Sequence, residues 1–351
     1  MTMLKTINKF RKIIMQGLTK NMGSNDFKDM PTLKRDEVKR VLICRPNHRL
    51  GNMLLITPLV QEVERTFPNC KIDLFVKGNL GGIIFSNYAC VDRIIKLPKK
   101  HFKQLFQYFG GWIALKKRHY DIVINVNKTS SSGRLSTKTA RGDYKFFGDV
   151  EESYTTKHTD YCHIAKYPVY NFRYYLSMLG ITARENAEMP TLDLKLSADE
   201  LAEGKRALDK LVKDGRKTIS IFTYATGAKC YSKSWWDDFY TTLQERYADE
   251  YNIIEILPVE NVSQINFKAP SFYSKDVREI AALIANTEFF IGADSGMMHL
   301  ASASQTPTVG LFSITKESVY TPYNSSSTAI NTNILCTRSC MATLDRIIQK
   351  R

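Results

Sequence analysis

Three short stretches hold residue types whose spacing can do chemistry. Residues 290–313, FIGADSGMMHLASASQTPTVGLFS, end an apolar run at Asp294 and open a helical pattern with Ser295-Gly296. A helix start presents unpaired backbone N–H groups and the positive end of the helix dipole, which suits a diphosphate. The Ser295 hydroxyl adds a donor. Gly296, Ala301, Ser302 and Ala303 are small enough for close approach by backbone or ligand. His299 follows Ser295 by four residues and shares its helix face. An ordinary N-cap with a core histidine would give the same residues.

The second stretch is TYATGAKCYSKSWWDDF, residues 223–239. A strand gives way to a polar loop carrying Lys229 and Lys233, either of which can neutralise phosphate charge on a leaving group. A solvated loop ahead of core tryptophans is the plainer reading. The third is RPNHRLGNMLLITP, residues 45–58. A strand ends, Gly51 allows a tight turn, and a helix begins, again suited to an anion or an attacking oxygen. The full glycine pattern of a dinucleotide site is missing, and so is the Gly-Lys-Ser/Thr ending of a phosphate loop. Those absences weaken dehydrogenase and ATPase readings.

No D-x-D occurs. A metal-held sugar nucleotide would want clustered carboxylates, so a metal-free site built on helix dipoles and lysines fits better. The seven cysteines are odd in number and lack C-x-x-C spacing, which favours reduced thiols over zinc or disulfides.

These stretches need elements to hold them. Strand patterns at VKRVLICRP, KIDLFVK, DRIIKLP and YDIVINVN alternate with helical patterns over residues 49–67 and 101–118, which signals βαβ units and a parallel sheet. The pattern pauses over residues 128–170. A helix is expected at 169–179, an extended link at 181–197 and a helix at 198–213. Strand–helix alternation then resumes from KTISIFTYA to PTVGLFS. The expected organisation is an N-terminal segment and linker (1–36), two α/β domains (37–180 and 181–335) and a tail (336–351). Two α/β halves in series place a substrate in the cleft between them.

The chain has 351 residues, 50 Lys and Arg against 35 Asp and Glu, and a formal charge of +15. Its 43% hydrophobic content excludes bulk disorder, and no apolar run is long enough for a membrane span. Residues 1–50 hold 12 basic and 4 acidic residues, and residues 98–147 hold 11 and 2. The remainder is close to neutral. Such clustering suits an anionic membrane face or a phosphorylated substrate. Nucleic acid ranks lower, because no nucleic-acid-binding motif occurs. Residues 4–18 form a basic amphipathic pattern that can lie on an anionic membrane or pack on protein. No signal peptide is evident, since charges interrupt the N-terminal apolar residues.

In their order along the chain, these segments resemble the bacterial heptosyltransferases of glycosyltransferase family 9 over residues 38–321. The strongest match is FIGADSGMMHLASAS to the family's D-[ST]-G-x-x-H-x-A-[AS] signature. TYATGAKCYSKSWW resembles its Lys-Trp donor loop, and YNFRYYLSMLGI its inter-domain helix. The resemblance implies an α/β fold of GT-B type, two Rossmann-like domains facing a cleft. The N-terminal domain would hold the acceptor and the C-terminal domain the nucleotide sugar. The implied reaction is inverting, metal-free glycosyl transfer to lipopolysaccharide or a related envelope glycan. No cofactor is implied beyond the donor, for which the resemblance suggests ADP-heptose. The expected location is cytoplasmic, at the inner face of the membrane. The expected partners are an anionic glycolipid or oligosaccharide and the membrane surface, with no nucleic acid.

Lys229, Lys233, Asp294, Ser295, Gly296 and His299 would then bind the donor. Arg49, Gly51, Arg134, Lys138 and Arg141 would face the acceptor. The family's Gly-Asp pair, which supplies the general base, is Gly51-Asn52 here. An amide cannot take up the acceptor proton. Either His48 is the base, or Asn52 orients an acceptor whose proton goes elsewhere, or the protein is a degenerate nucleotide-sugar or glycan-binding relative.

Overall fold

The computed structural model describes residues 17, 19, 21–23, 32–99, 104–182, 184, 187–212 and 214–349. The amphipathic pattern at residues 4–18 lies outside these apart from Gly17. The chain divides into two compact units. One comprises Met1–Arg49, Pro58–Tyr161 and Ala165–Pro190, the other Leu50–Thr57, Cys162–Ile164 and Thr191–Arg351.

The first unit is built on five strands: β1 (Arg40–Arg45), β2 (Lys71–Lys77), β3 (Val91–Leu97), β4 (His119–Asn125) and β5 (Arg141–Phe146). Their order is β3-β2-β1-β4-β5, and every pair is parallel. Val41, Leu42, Ile43 and Cys44 of central β1 are fully buried, as expected of a strand covered on both faces. Strand order reverses at β1, so the loop after it, residues 46–49, occupies the position where such folds bind ligands. Within this unit Glu62 is fully buried and accepts from Arg173 Nε at 2.9 Å and Arg184 Nε at 3.0 Å. The two guanidinium groups compensate a carboxylate that could not be buried alone.

The pause expected at residues 128–170 contains structure. A helix runs over Ser131–Thr139, and β5 follows it. SSGRLSTKT has no apolar stripe to announce a helix. Its start is secured by the Ser130 hydroxyl accepting from Gly133 N at 3.1 Å.

The turn and helix expected over residues 49–67 are two helices, Leu50–Leu54 and Thr57–Thr66. Pro58 has no N–H to continue the ladder, and Thr57 Oγ1 donates to Leu54 O at 2.8 Å across the break. The break has a consequence for organisation, because residues 50–57 fold with the second unit.

The second unit carries β6 (Lys217–Phe222), β7 (Tyr251–Ile256), β8 (Ser271–Phe272), β9 (Phe289–Ala293), β10 (Thr308–Phe312) and β11 (Thr328–Asn331). They form a parallel sheet in the order β11-β10-β9-β6-β7-β8. Its core gathers Ile219, Trp236, Phe239, Leu243, Ile291 and Leu311. The expected tail 336–351 is corrected: Thr337–Gln349 is a helix whose Cys340, Met341 and Leu344 are buried in that core. The expected boundary after residue 180 moves to Pro190/Thr191, apart from the two short excursions. All seven cysteines are free.

Candidate active site

In the second unit the chemistry collects at the carboxyl end of β9. Asp294 directly follows the strand, and its N–H donates to Leu311 O at 3.1 Å. The carboxylate is buried, and Oδ2 accepts from Lys229 Nζ at 3.2 Å and from Thr315 Oγ1 at 2.6 Å. Lys229 ends a short 3-10 turn, Gly227–Lys229, and its side chain stays about one third exposed. It is therefore anchored by a carboxylate yet open to a ligand. Lys233 is placed differently. It opens the Lys233–Tyr247 helix, is exposed, and donates to Asn266 Oδ1 at 3.2 Å. Of the two lysines, Lys229 is the one brought to Asp294.

Ser295 caps the Gly296–Ala303 helix, its hydroxyl accepting from Met298 N at 3.4 Å. That helix start packs directly on the Leu50–Leu54 helix. A Cβ added to Gly51 would stand 3.0 Å from His299 Cδ2 and 3.4 Å from Gly296 Cα, and one added to Gly296 would stand 3.2 Å from Gly51 N. Glycine at both positions suits this approach, since a side chain at either would press on the opposite ring or backbone. Two of the three stretches singled out by spacing thus meet within one unit.

His299 is 3% exposed, and its Nδ1 has no hydrogen-bond partner. Burial pushes its pKa down to about 4, with His163 and Lys229 acting the same way and Asp294 opposing them. The ring is neutral at physiological pH. The ring is enclosed and lies on Gly51.

A polar knot lies at the ends of β6 and β7. Glu255 is fully buried and accepts from Thr223 Oγ1 at 2.5 Å, and Thr223 Oγ1 in turn accepts from Gln264 N at 3.1 Å. Burial raises the Glu255 pKa.

In the first unit, His48 is exposed in the loop after β1. Partial burial lowers its pKa, and the cations Lys77, Lys99 and Arg49 lower it further. A base held neutral in this way can accept a proton. Arg49 is exposed, and its N–H donates to Asn47 Oδ1 at 2.9 Å. Beside this loop, at the ends of β2 and β3, opens a cavity of about 640 Å³ lined by Asn79, Lys96, Lys99, Gln104 and Gln107.

The other residues expected to face the acceptor divide by position. Arg134 is corrected. It is 3% exposed, lies 2.8 Å from Asp149 Oδ2, and donates to Met22 O and Gly23 O, with its guanidinium over the Phe147 ring. It is a structural tie. Arg141 is exposed and starts β5, at the amino end of the sheet, away from the His48 end. Lys138 is exposed in the last turn of the helix before β5. Among the described residues, the His119, Asp121 and Asp143 side chains could converge on a cation, also at the amino end of β4 and β5.

Residues 274–346, which hold the Asp294–His299 stretch, match the family model for glycosyltransferase family 9 (heptosyltransferase). Over these residues the chain is similar to glycosyltransferase family 9. A curated relative is lipopolysaccharide heptosyltransferase 1 of Campylobacter coli, 23% identical over 288 residues, covering 76% of this chain and 82% of the relative. Among solved structures, a family 9 glycosyltransferase from Veillonella parvula superposes with a TM-score of 0.69 at 15% identity, covering 91% of this chain and 99% of the other. E. coli heptosyltransferase WaaC with ADP gives 0.63 at 16% identity, covering 88% and 99%. E. coli ADP-heptose lps heptosyltransferase II gives 0.62 at 12% identity, covering 89% and 99%. At these identities the superpositions establish the shared fold, two Rossmann-like α/β units.

Several site residues escaped sequence reasoning. Thr315 shares Asp294 with Lys229, yet nothing in SITK distinguishes it. Lys96 and Lys99 sit at or next to a basic window, a signal of charge but not of a cavity. Glu255 lies near the end of an apolar strand, and an acid within such a run is buried only with a partner or a proton. That pattern was the available signal for the knot with Thr223.

Proposed function

We propose that this chain is a family 9 glycosyltransferase that moves a heptose-like sugar from a nucleoside-diphosphate donor to lipopolysaccharide or a related envelope glycan, with inversion and without a metal. The observation that carries the donor assignment is the Lys229–Asp294–Thr315 cluster at the capped start of the Gly296–Ala303 helix. The acceptor hydroxyl attacks the anomeric carbon, and the departing diphosphate gains negative charge. Lys229 and the helix-start N–H groups meet that charge by preorganised electrostatics. Asp294 holds the ammonium in position. This cluster offers one carboxylate, already engaged by a lysine and a hydroxyl, which is a poor ligand set for a divalent cation.

His48 takes the acceptor proton in this reading, because it is a neutral imidazole in a cationic surround. The same cations attract an anionic acceptor into the first unit. ADP-heptose is the first donor to test, since the similar E. coli proteins are described with ADP and as ADP-heptose transferases. The work place is the cytoplasmic side of an anionic membrane. Among the described residues, no helix is long and apolar enough to cross one.

A thermal-shift screen of nucleotide sugars, followed by product analysis in the presence of a chelator, tests the proposal. Stabilisation by ADP-heptose and chelator-resistant transfer with inverted anomeric configuration are expected. No shift with any nucleotide sugar, or activity abolished by chelation and restored by a divalent cation, would count against it.

A further inference from the structure

The Leu105–Ala114 helix of the first unit is apolar on the face it turns to solvent. Phe106 is 94% exposed, Phe109 60%, Ile113 58% and Leu105 50%. At 3.6 residues per turn these four side chains fall within one arc of about 100°. The opposite side of the helix is the one that packs. Ala114 and Leu115 are buried with Phe75, Leu97 and Tyr120, and Trp112 meets the Phe75 ring edge-on at 5.5 Å. Core packing therefore explains the inner face; on the outer face Phe109 meets only the neighbouring Tyr108 ring, at 6.1 Å, among the described residues. Isolated exposed apolar residues are ordinary, but a contiguous apolar stripe at a protein surface is not.

What surrounds the stripe says what covers it. Exposed Lys116 and Lys117 follow its carboxyl end. Exposed Lys96 and Lys99 line the cavity of about 640 Å³ that reaches Gln104 and Gln107 at its amino end. The helix lies in the 98–147 window that holds 11 basic and 2 acidic residues. A protein partner would need only apolar complementarity. Apolar side chains flanked by lysines at both ends instead match a bilayer: acyl chains take the rings and anionic headgroups take the ammonium groups.

We propose that the outer face of the Leu105–Ala114 helix is a docking surface for an anionic lipid bilayer, with Phe106, Phe109 and Ile113 inserting at the headgroup–acyl boundary and Lys96, Lys99, Lys116 and Lys117 engaging the headgroups. The inference deepens the membrane part of the proposed function: Phe106, Phe109, Ile113, Lys116 and Lys117 are none of the proposed catalytic or donor residues, and only Lys99 is shared with the surround of His48. It supplies that reading with a way to present a lipid-borne acceptor.

Co-sedimentation of the full chain with vesicles rich in phosphatidylglycerol, and with vesicles of phosphatidylcholine alone, tests it. The parent is expected to partition onto the anionic vesicles and far less onto the neutral ones. The triple variant Phe106→Ser/Phe109→Ser/Ile113→Ser is expected to lose partitioning about tenfold or more. Lys116→Gln/Lys117→Gln is expected to weaken binding severalfold, most at low salt. Residues 1–31 are present in every arm, so their own lipid affinity cancels. Should the triple variant fail to match the parent's thermal midpoint, the single Phe106→Ser serves, with a loss of about threefold expected. Equal partitioning of parent and variants, equal binding to both vesicle types, or no binding by the parent would overturn the proposal. So would a parent dimer that the triple variant converts to monomer without any vesicle binding, which would make the face a self-interface.

Discussion

The His299 imidazole lies on Gly51: a Cβ at Gly51 would stand 3.0 Å from His299 Cδ2. The contact joins the Leu50–Leu54 helix to the start of the Gly296–Ala303 helix. It places the Gly51-Asn52 pair in the same unit as the Asp294 cluster. A Cβ at Gly51 would press on the buried ring and on the Gly296 backbone. Gly51→Val should therefore cost about 1–3 kcal/mol by overpacking, read as a thermal midpoint several degrees lower. An unchanged midpoint would mean that the two helices separate freely.

Burial of His299 also predicts how stability depends on acid. The folded protein keeps the ring neutral down to about pH 4, whereas the unfolded chain takes up the proton near 6.5. Between those values the unfolded state binds more protons, so stability falls as pH falls, by up to about 1.4 kcal/mol per unit. Above pH 6.5 the group contributes no slope. The non-titrating His299→Gln should be less stable than the parent at neutral pH, and the gap should narrow toward pH 4. Parallel pH profiles for parent and variant would refute the buried, neutral assignment.

How far the sequence could be read depended on the range of the interaction. Strands such as Val41–Cys44 and Phe289–Ala293 were legible because burial on both faces demands a continuous apolar run. The Ser131–Thr139 helix was not, since it is held by a cap and its surroundings rather than by a stripe. The signature around Asp294 and Ser295 was legible as a helix start after a strand. That Gly51 belongs with it was not, because the approach of two glycine backbones leaves no local pattern. Lys229 and Lys233 stand four residues apart in one polar loop, and only the fold decides which reaches Asp294. Arg134 misled for a related reason: a guanidinium in a basic stretch reads as open to an anionic acceptor, yet this one is buried against Asp149 and two carbonyls.

The lysines differ in position, so they should differ in effect. Lys229→Ala removes the ammonium beside Asp294 and is expected to lower kcat/KM by about 100-fold, the scale for loss of one preorganised group at a leaving oxygen. Lys233→Ala removes a partner of Asn266 on the surface and should lower it by less than about tenfold. Both should keep the parent's thermal midpoint. The reverse ranking would move the leaving-group contact to the start of the Lys233–Tyr247 helix.

Arg134→Ala separates a structural arginine from an acceptor-binding one. Loss of its bonds to Asp149, Met22 O and Gly23 O should cost about 2–3 kcal/mol. The KM for acceptor, measured below the lowered midpoint, should not move. A raised KM with unchanged stability would return Arg134 to the acceptor site.

The base is the step on which the Gly51-Asn52 substitution bears. His48 is held neutral by partial burial and by Lys77, Lys99 and Arg49, so its protonation, and with it the acid limb of kcat/KM, should fall below pH 6.5. Lys99→Gln removes one of the cations that disfavour the imidazolium. The His48 pKa should then rise and carry the acid limb to higher pH, toward 6.5. His48→Ala should reduce turnover by about 100-fold or more and abolish that limb while donor-induced stabilisation persists. If His48 is the base, Asn52→Asp should not rescue His48→Ala, because the proton goes to the loop after β1 and not to the helix that follows. Strong activation by Asn52→Asp in the parent would reverse the assignment. It would mean that position 52 still faces the acceptor hydroxyl and that its amide limits the reaction.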